Sequence, residues 1–168
     1  MRQEVLSWHE VEKLVDVLLP QFRGVFEAML MITTGGLVPG GLLSEVLGIK
    51  QVLTASVDFP PHDVSAPKLM AWPEFLQFPE ANLLAGRRVL VIDDVWGSGR
   101  TITAVKGRVE AAGGAPELCV FHYNPTRNLF TKHLPTYYAA ITDAHIVYPW
   151  EVDRGRPYGV RVAEPETN

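Results

Sequence analysis

Two adjacent carboxylates, Asp93 and Asp94, end the apolar run Val89-Leu90-Val91-Ile92 and lead at once into Val95-Trp96-Gly97-Ser98-Gly99-Arg100-Thr101. A bare carboxylate is very costly to bury, so at least one of the pair must meet a cation or hydroxyl groups. The small residues that follow let successive backbone N–H groups turn toward one point, and a helix beginning near Thr101 adds the positive end of its dipole there. The result is an anion cup, to which the Ser98 and Thr101 hydroxyls can also donate. Carboxylates just upstream of such a cup suit a sugar phosphate. The cup takes the phosphate, while the acids accept hydrogen bonds from vicinal hydroxyls or position Mg²⁺. A phosphorylated ribose meets both demands. A nucleoside triphosphatase loop would need G-x-x-x-x-G-K-[ST], which is absent. Taken singly, each half has a plainer explanation, because Gly-x-Gly is more often a turn than a site and an Asp pair can cap the turn after a strand. Receiver modules also open with an apolar strand and Asp-Asp, but only 75 residues follow Asp93, too few for that doubly wound fold.

The elements that position these groups alternate. Ser7-Trp8-His9-Glu10 fits a capping box, and Val11, Leu14, Val15 and Leu18 repeat at helical spacing up to Pro20. Residues 28–33 form a short apolar run, followed by Gly35-Gly36 and a second helical pattern over 37–47 that stops at Gly48. Residues 51–57 are rich in β-branched side chains and predict a strand. The proline-rich stretch 58–86 shows little periodicity and is expected to be a long flexible catalytic loop or lid. Further strands are expected at 89–92, 117–123, 137–140 and 145–148, with a helix over 101–112 closed by Gly113-Gly114. This order predicts an α/β fold: one domain over residues 1–168, a mostly parallel central sheet, helices on both faces and a mobile hood, with 152–168 as a C-terminal tail. Ligands in such sheets bind at the carboxyl ends of the strands, where Thr33-Thr34-Gly35-Gly36 and Asp94–Gly99 both fall.

Bulk properties narrow the function. The chain has 168 residues, 47% of them hydrophobic and 20% charged, and a net charge of −4, which offers a polyanion no general attraction. Nucleic acid is disfavoured as a partner. The single Cys119 excludes an internal disulfide framework and sits in an apolar run, as a core residue does. No basic leader precedes an apolar stretch and nowhere do eighteen apolar residues run together, so a soluble, cytoplasmic protein without membrane contact is expected.

The run from Val89 to Thr101 resembles the phosphoribosyl-pyrophosphate signature of the type I phosphoribosyltransferases. Ile32-Thr33-Thr34-Gly35-Gly36-Leu37-Val38-Pro39 is similar to that family's pyrophosphate loop, and 58–86 falls where its mobile catalytic loop lies. Ile146-Val147-Tyr148-Pro149-Trp150-Glu151 resembles the ending of small xanthine-guanine-type members. The similarity covers about residues 28–151. It implies transfer of phosphoribosyl from phosphoribosyl pyrophosphate to a nucleobase, a purine by pattern, as in purine salvage. Asp93 and Asp94 would bind the ribose hydroxyls with Mg²⁺ nearby. Val95, Trp96, Gly97, Ser98, Gly99, Arg100 and Thr101 would wrap the 5′-phosphate, and Thr34, Gly35 and Gly36 would hold the departing pyrophosphate. Asn124, His145 and Ile146 would meet the base, and relatives commonly form dimers or tetramers.

Four departures from the family pattern concern the base and the pyrophosphate. Gly97 stands where many 6-oxopurine enzymes hold an aspartate suspected of proton transfer. Thr34 replaces an Arg or Lys, Asn124 replaces a lysine that contacts the purine 6-oxygen, and His145 replaces a larger stacking aromatic. They keep a second class of function open, a non-catalytic nucleotide-sensing regulator on the same fold. Trp96 is expected to point outward and pack on the lid or a subunit partner. Trp150 is expected to anchor the tail, beside Glu151, and Arg154-Gly155-Arg156 to form a solvated tail.

Overall fold

The computed structural model describes residues 2–60, 72–130 and 132–151. In chain order the elements are β1 (Gln3–Val5), α1 (Trp8–Leu18), β2 (Ala28–Ile32), α2 (Leu37–Leu47), β3 (Val52–Asp58), β4 (Glu74–Gln77), β5 (Arg88–Trp96), α3 (Arg100–Ala111), β6 (Ala115–Tyr123), β7 (Tyr137–Ile141) and β8 (His145–Val147). Six strands form one sheet in the order β4-β3-β2-β5-β6-β7, parallel except for β4, which runs antiparallel to β3. β1 and β8 pair in parallel as a separate ribbon.

The strand pattern explains the layers. All five residues of β2 are buried, as are Val89–Ile92 of β5, because central parallel strands covered on both faces read as continuous apolar runs. Successive side chains alternate between faces. Leu90 and Ile92 join Met29, Met31, Cys119 and Phe121 in one core with Val11 and Leu18 of α1 and Leu43 of α2. Val89 and Val91 join Leu30, Leu118 and Val120 in the other, beneath Ile102, Val105 and Val109 of α3. Cys119 lies wholly in the core, as expected.

Helix boundaries follow local chemistry. Ser7 Oγ accepts from Glu10 N and Ser7 N donates to Glu10 Oε2 at 2.7 Å, which closes the capping box of α1. α2 ends at Gly48 in the left-handed region, at φ 65°.

The sequence-based expectation differs from the structure in three places. β5 does not stop at Ile92 but continues to Trp96, because β6 goes on pairing with it at Asp93↔Val120, Val95↔His122 and Trp96↔Tyr123. β1 has no sequence signal of its own, since its three residues are held by a partner far along the chain. The stretch 58–86 is not irregular throughout. It contains β4 and a 3-10 turn at 81–83, ordered by Phe75 edge-on to Phe78 with the Arg108 guanidinium over both rings. Residues 61–71 of the expected lid, and the tail from 152 with Arg154-Gly155-Arg156, lie outside the described residues. Among the described residues no helix is long and apolar enough to cross a membrane.

Candidate active site

The sheet order places a topological switch between β2 and β5. From β2 the chain moves outward through β3 in one direction, and from β5 it moves outward through β6 and β7 in the other. Connections diverge there and leave a crevice at the carboxyl ends of the two strands. The pairing of β2 with β5 ends at Met31↔Ile92, one residue before β2 itself stops, whereas β5 runs on beside β6. Asp93 and Asp94 therefore sit on a strand extension that is open on the side where the chain after β2 turns away.

The turn after β2 presses against that extension. Thr33 N and Thr33 Oγ1 both donate to Ala55 O, the Thr33-Thr34 peptide is cis, and Thr34 is exposed. A Cβ on Gly35 would lie 2.6 Å from the Asp94 carboxylate, and one on Gly36 would lie 2.3 Å from Ile92 O. Only glycine permits this approach, so the loop backbone is held directly against the carboxylate. α2 begins immediately after it and brings its N-terminal dipole to the same crevice.

On the other side of Asp93 the chain forms the expected cup. Residues 95–102 with Asp93 line a cavity of about 60 Å³ at the N-terminus of α3. Gly99 caps α3 at φ 79°, and a Cβ there would fall 2.4 Å from Trp96 Nε1, so two independent constraints demand glycine. Arg100 N donates to Ser98 Oγ at 3.4 Å, which tightens the loop. Gly97 is different, since a Cβ there would meet nothing within 4 Å.

Trp96 corrects the expectation that it points outward. Its side chain is buried at 1% exposure, edge-on to Tyr123, and its Nε1 donates to Asn128 Oδ1 at 3.1 Å. It forms the floor of the cup, because a large ring beside Gly99 fills space that the bare loop cannot. Asn128 Nδ2 also reaches Phe130 O at 3.1 Å, and Leu129 N donates to Ser98 O, so the loop after β6 braces the cup from below. Sequence reasoning missed Asn128. A lone Asn in a turn carries no signal that it serves a loop thirty residues earlier.

The carboxylates are electrostatically strained. Burial and the neighbouring Asp94 charge push Asp93 well above the usual carboxylate range. Burial also raises Asp94, to about 6, helped by the nearby Glu151 carboxylate and opposed by a 2.6 Å hydrogen bond from Val95 N to Asp94 Oδ1. Asp94 N donates to Asp93 Oδ1 at 3.0 Å. Two carboxylates held above their normal pKa are poised to accept a cation or hydroxyl donors. Among the described residues no group of three or more His, Cys, Asp or Glu could hold a metal. A pair suffices for Mg²⁺, which takes most of its ligands from water and substrate oxygens.

The base-side residues are less convergent. Asn124 is buried, and its Oδ1 accepts from Thr126 Oγ1 at 2.7 Å and from Arg127 N, which caps the turn after β6, so only its Nδ2 could serve a base. His145 is exposed on β8, whereas the Ile146 side chain packs into the core, which limits Ile146 to backbone contacts. Trp150 is stacked on Tyr148 at 4.5 Å and lies 5.9 Å from Trp8, while the tail it was expected to anchor lies outside the described residues. Glu151 Oε2 accepts from Tyr148 N. Behind the carboxylates, and unforeseen from sequence, the Tyr148 hydroxyl donates to Asp94 O at 2.9 Å and lies 2.8 Å from His122 Nδ1.

The chain is similar to known proteins in sequence and fold. The family model described as "Phosphoribosyl transferase domain" matches residues 3–154. A xanthine-guanine phosphoribosyltransferase from Cereibacter sphaeroides is 28% identical over 132 residues, covering 77% of this chain and 72% of its own. Among solved structures, a purine phosphoribosyltransferase from Pyrococcus horikoshii superposes with TM-score 0.73 at 24% identity, over 90% of this chain and 95% of that one. A hypothetical protein from Neisseria gonorrhoeae with bound ppGpp gives TM-score 0.77 at 21% identity, over 91% of each. The family model's match along nearly the whole described length shows that the chain belongs to the phosphoribosyl transferase domain family, a family of pentosyltransferases.

Proposed function

We propose that the protein transfers phosphoribosyl from phosphoribosyl pyrophosphate to a purine base in the cytoplasm, with Mg²⁺, releasing pyrophosphate and forming a nucleoside 5′-monophosphate. One observation carries the reading: the Gly35 backbone abuts the Asp94 carboxylate while the phosphate cup opens from the next residues of the same strand. Asp93 and Asp94 accept hydrogen bonds from the ribose hydroxyls. The amides of the 97–101 loop, with Ser98 and Thr101, take the 5′-phosphate, the Val95 N–H being held by Asp94. The amides of Thr34 and Gly35 face the pyrophosphate, while the Gly36 N–H, expected to join them, is given to Ile32 O at 2.8 Å. Asn124 Nδ2, the His145 ring and the Ile146 backbone meet the base. Asp93 and Asp94 would hold Mg²⁺, which when bound would supply charge neutralisation for the departing pyrophosphate. Fixed amide donors act without reorganising when charge develops, so they favour the transition state over the ground state. The single-domain subunit works as a homodimer or homotetramer, which sedimentation would establish.

Calorimetry with phosphoribosyl pyrophosphate and Mg²⁺ tests the binding half, with Asp93→Asn as the control. Pyrophosphate release with hypoxanthine, guanine, xanthine, adenine, uracil and orotate tests the chemistry. Absence of binding would end the reading. The second reading, a nucleotide-sensing regulator, draws support from Gly97, Thr34 and Asn124 and from the ppGpp carried by the Neisseria neighbour. Tight binding of ppGpp without pyrophosphate release from any base would favour it.

A further inference from the structure

We propose that Tyr148 and His122 are positioning residues that hold the Asp94 carboxylate in its working orientation from behind strand β5. The proposal rests on the transferase reading for its kinetic consequence, though its geometry does not. Tyr148 is 1% exposed and His122 5%, so the groups are sealed from water. The Tyr148 hydroxyl has one proton. It goes to Asp94 O, which can only accept, so His122 Nδ1 must be the donor to the phenol oxygen. His122 is thereby fixed as the Nδ1–H tautomer, and burial keeps it neutral by pushing its pKa down.

The carbonyl that Tyr148 grips belongs to the same peptide as Val95 N–H. That N–H donates to Asp94 Oδ1 at 2.6 Å. Turning this peptide would move both groups together, so the phenol bond is transmitted to the carboxylate through one rigid plane. Asp94 N–H in turn donates to Asp93 Oδ1 at 3.0 Å, which extends the constraint to the second acid. On its open side Asp94 meets Gly35 with no room for a Cβ, so a small rotation of the carboxylate would disturb the loop that faces pyrophosphate. Tyr148 is itself fixed by stacking parallel to Trp150, at 8° between planes, and by donating its N–H to Glu151. The segment after β8 therefore sets the geometry of the carboxylate pair without touching the sugar.

The test uses the full chain and three variants: Tyr148→Phe, His122→Leu and His122→Asn. The Asn Nδ2–H can occupy the position of the imidazole Nδ1–H, whereas Leu cannot donate. Thermal melting first establishes that each variant folds. Tyr148→Phe is expected to speed amide exchange at Val95 by about tenfold or more, leaving Leu90 and Val91 protected as in the parent. Affinity for phosphoribosyl pyrophosphate with Mg²⁺ should fall about tenfold in Tyr148→Phe and His122→Leu, but stay within about twofold in His122→Asn. A purely packing role would lower the melting temperature and leave Val95 exchange and affinity unchanged, which would overturn the proposal. Equal losses in His122→Leu and His122→Asn would also overturn it. Failure of the parent to bind phosphoribosyl pyrophosphate would remove the transferase reading, and the exchange at Val95 would still decide whether Tyr148 holds the peptide.

Discussion

Position 97 lies in the phosphate cup, yet a Cβ there meets nothing within 4 Å. Glycine is thus not required by packing, and the aspartate that many resembling 6-oxopurine enzymes hold at this place has room. Gly97→Asp is expected to fold with a melting temperature within about 2 °C of the parent, as surface changes of roughly 0.5 kcal/mol do. If proton transfer to the purine limits turnover, its kcat with guanine or hypoxanthine rises. The acids beside it predict a pH dependence. Asp94 is raised from 3.8 to about 6, so below pH 4 it is protonated in both folded and unfolded chains and has no effect. Between those values the folded state binds more protons than the unfolded, and stability falls as pH rises through about 6. Asp94→Asn should therefore stabilise the ligand-free protein at pH 7.5 by on the order of 1–3 kcal/mol, with the gain vanishing near pH 4. The same variant should lose affinity for phosphoribosyl pyrophosphate. Melting curves at the two pH values, with calorimetry at the higher, check both statements.

At the scale of elements, the site exists because β5 overshoots β2 and is carried onward by β6 alone. The overshoot is held at its tip by Trp96, whose Nε1 is fixed to Asn128 in the loop after β6. Asn128→Ala leaves that buried N–H unpaired and should cost about 1–3 kcal/mol. It should raise KM for phosphoribosyl pyrophosphate more than it lowers kcat, because the cup would still form but less rigidly. Gly99→Ala is the sharper change. The left-handed backbone and the 2.4 Å approach of Trp96 Nε1 both oppose a methyl group, so this variant should lose phosphate binding outright in calorimetry.

For the molecule as a whole, two apolar layers on either face of the sheet give a rigid platform that does not depend on the ligand. On the proposed reading the ligand would instead bridge parts that the sheet only brings near one another: the turn after β2 and the end of β5. Saturating phosphoribosyl pyrophosphate with Mg²⁺ at a hundred times its Kd should add about 2.7 kcal/mol to stability by mass action. For a chain of this size that corresponds to a rise in melting temperature of roughly 5–10 °C. A thermal-shift titration checks it, and Asp93→Asn should abolish the shift.

Residue type and spacing were enough for the alternation of strands and helices, the capping box at Ser7, the glycine stop at Gly48, the buried Cys119 and the cup after Asp94. Each of these rests on contacts within a few residues, where residue type and spacing carry the physics. The tertiary structure alone decided that β5 extends to Trp96, that β1 exists, and that Trp96 turns inward. It also decided that Asn128, His122 and Tyr148 serve groups from which they are far removed in the chain. Those outcomes depend on partners that meet only through the sheet order, so no local pattern could encode them. The closeness of Gly35 to Asp94 belongs to both levels. The glycine is visible in the sequence, but the carboxylate that requires it arrives from a strand almost sixty residues later, beside β2 in the folded sheet.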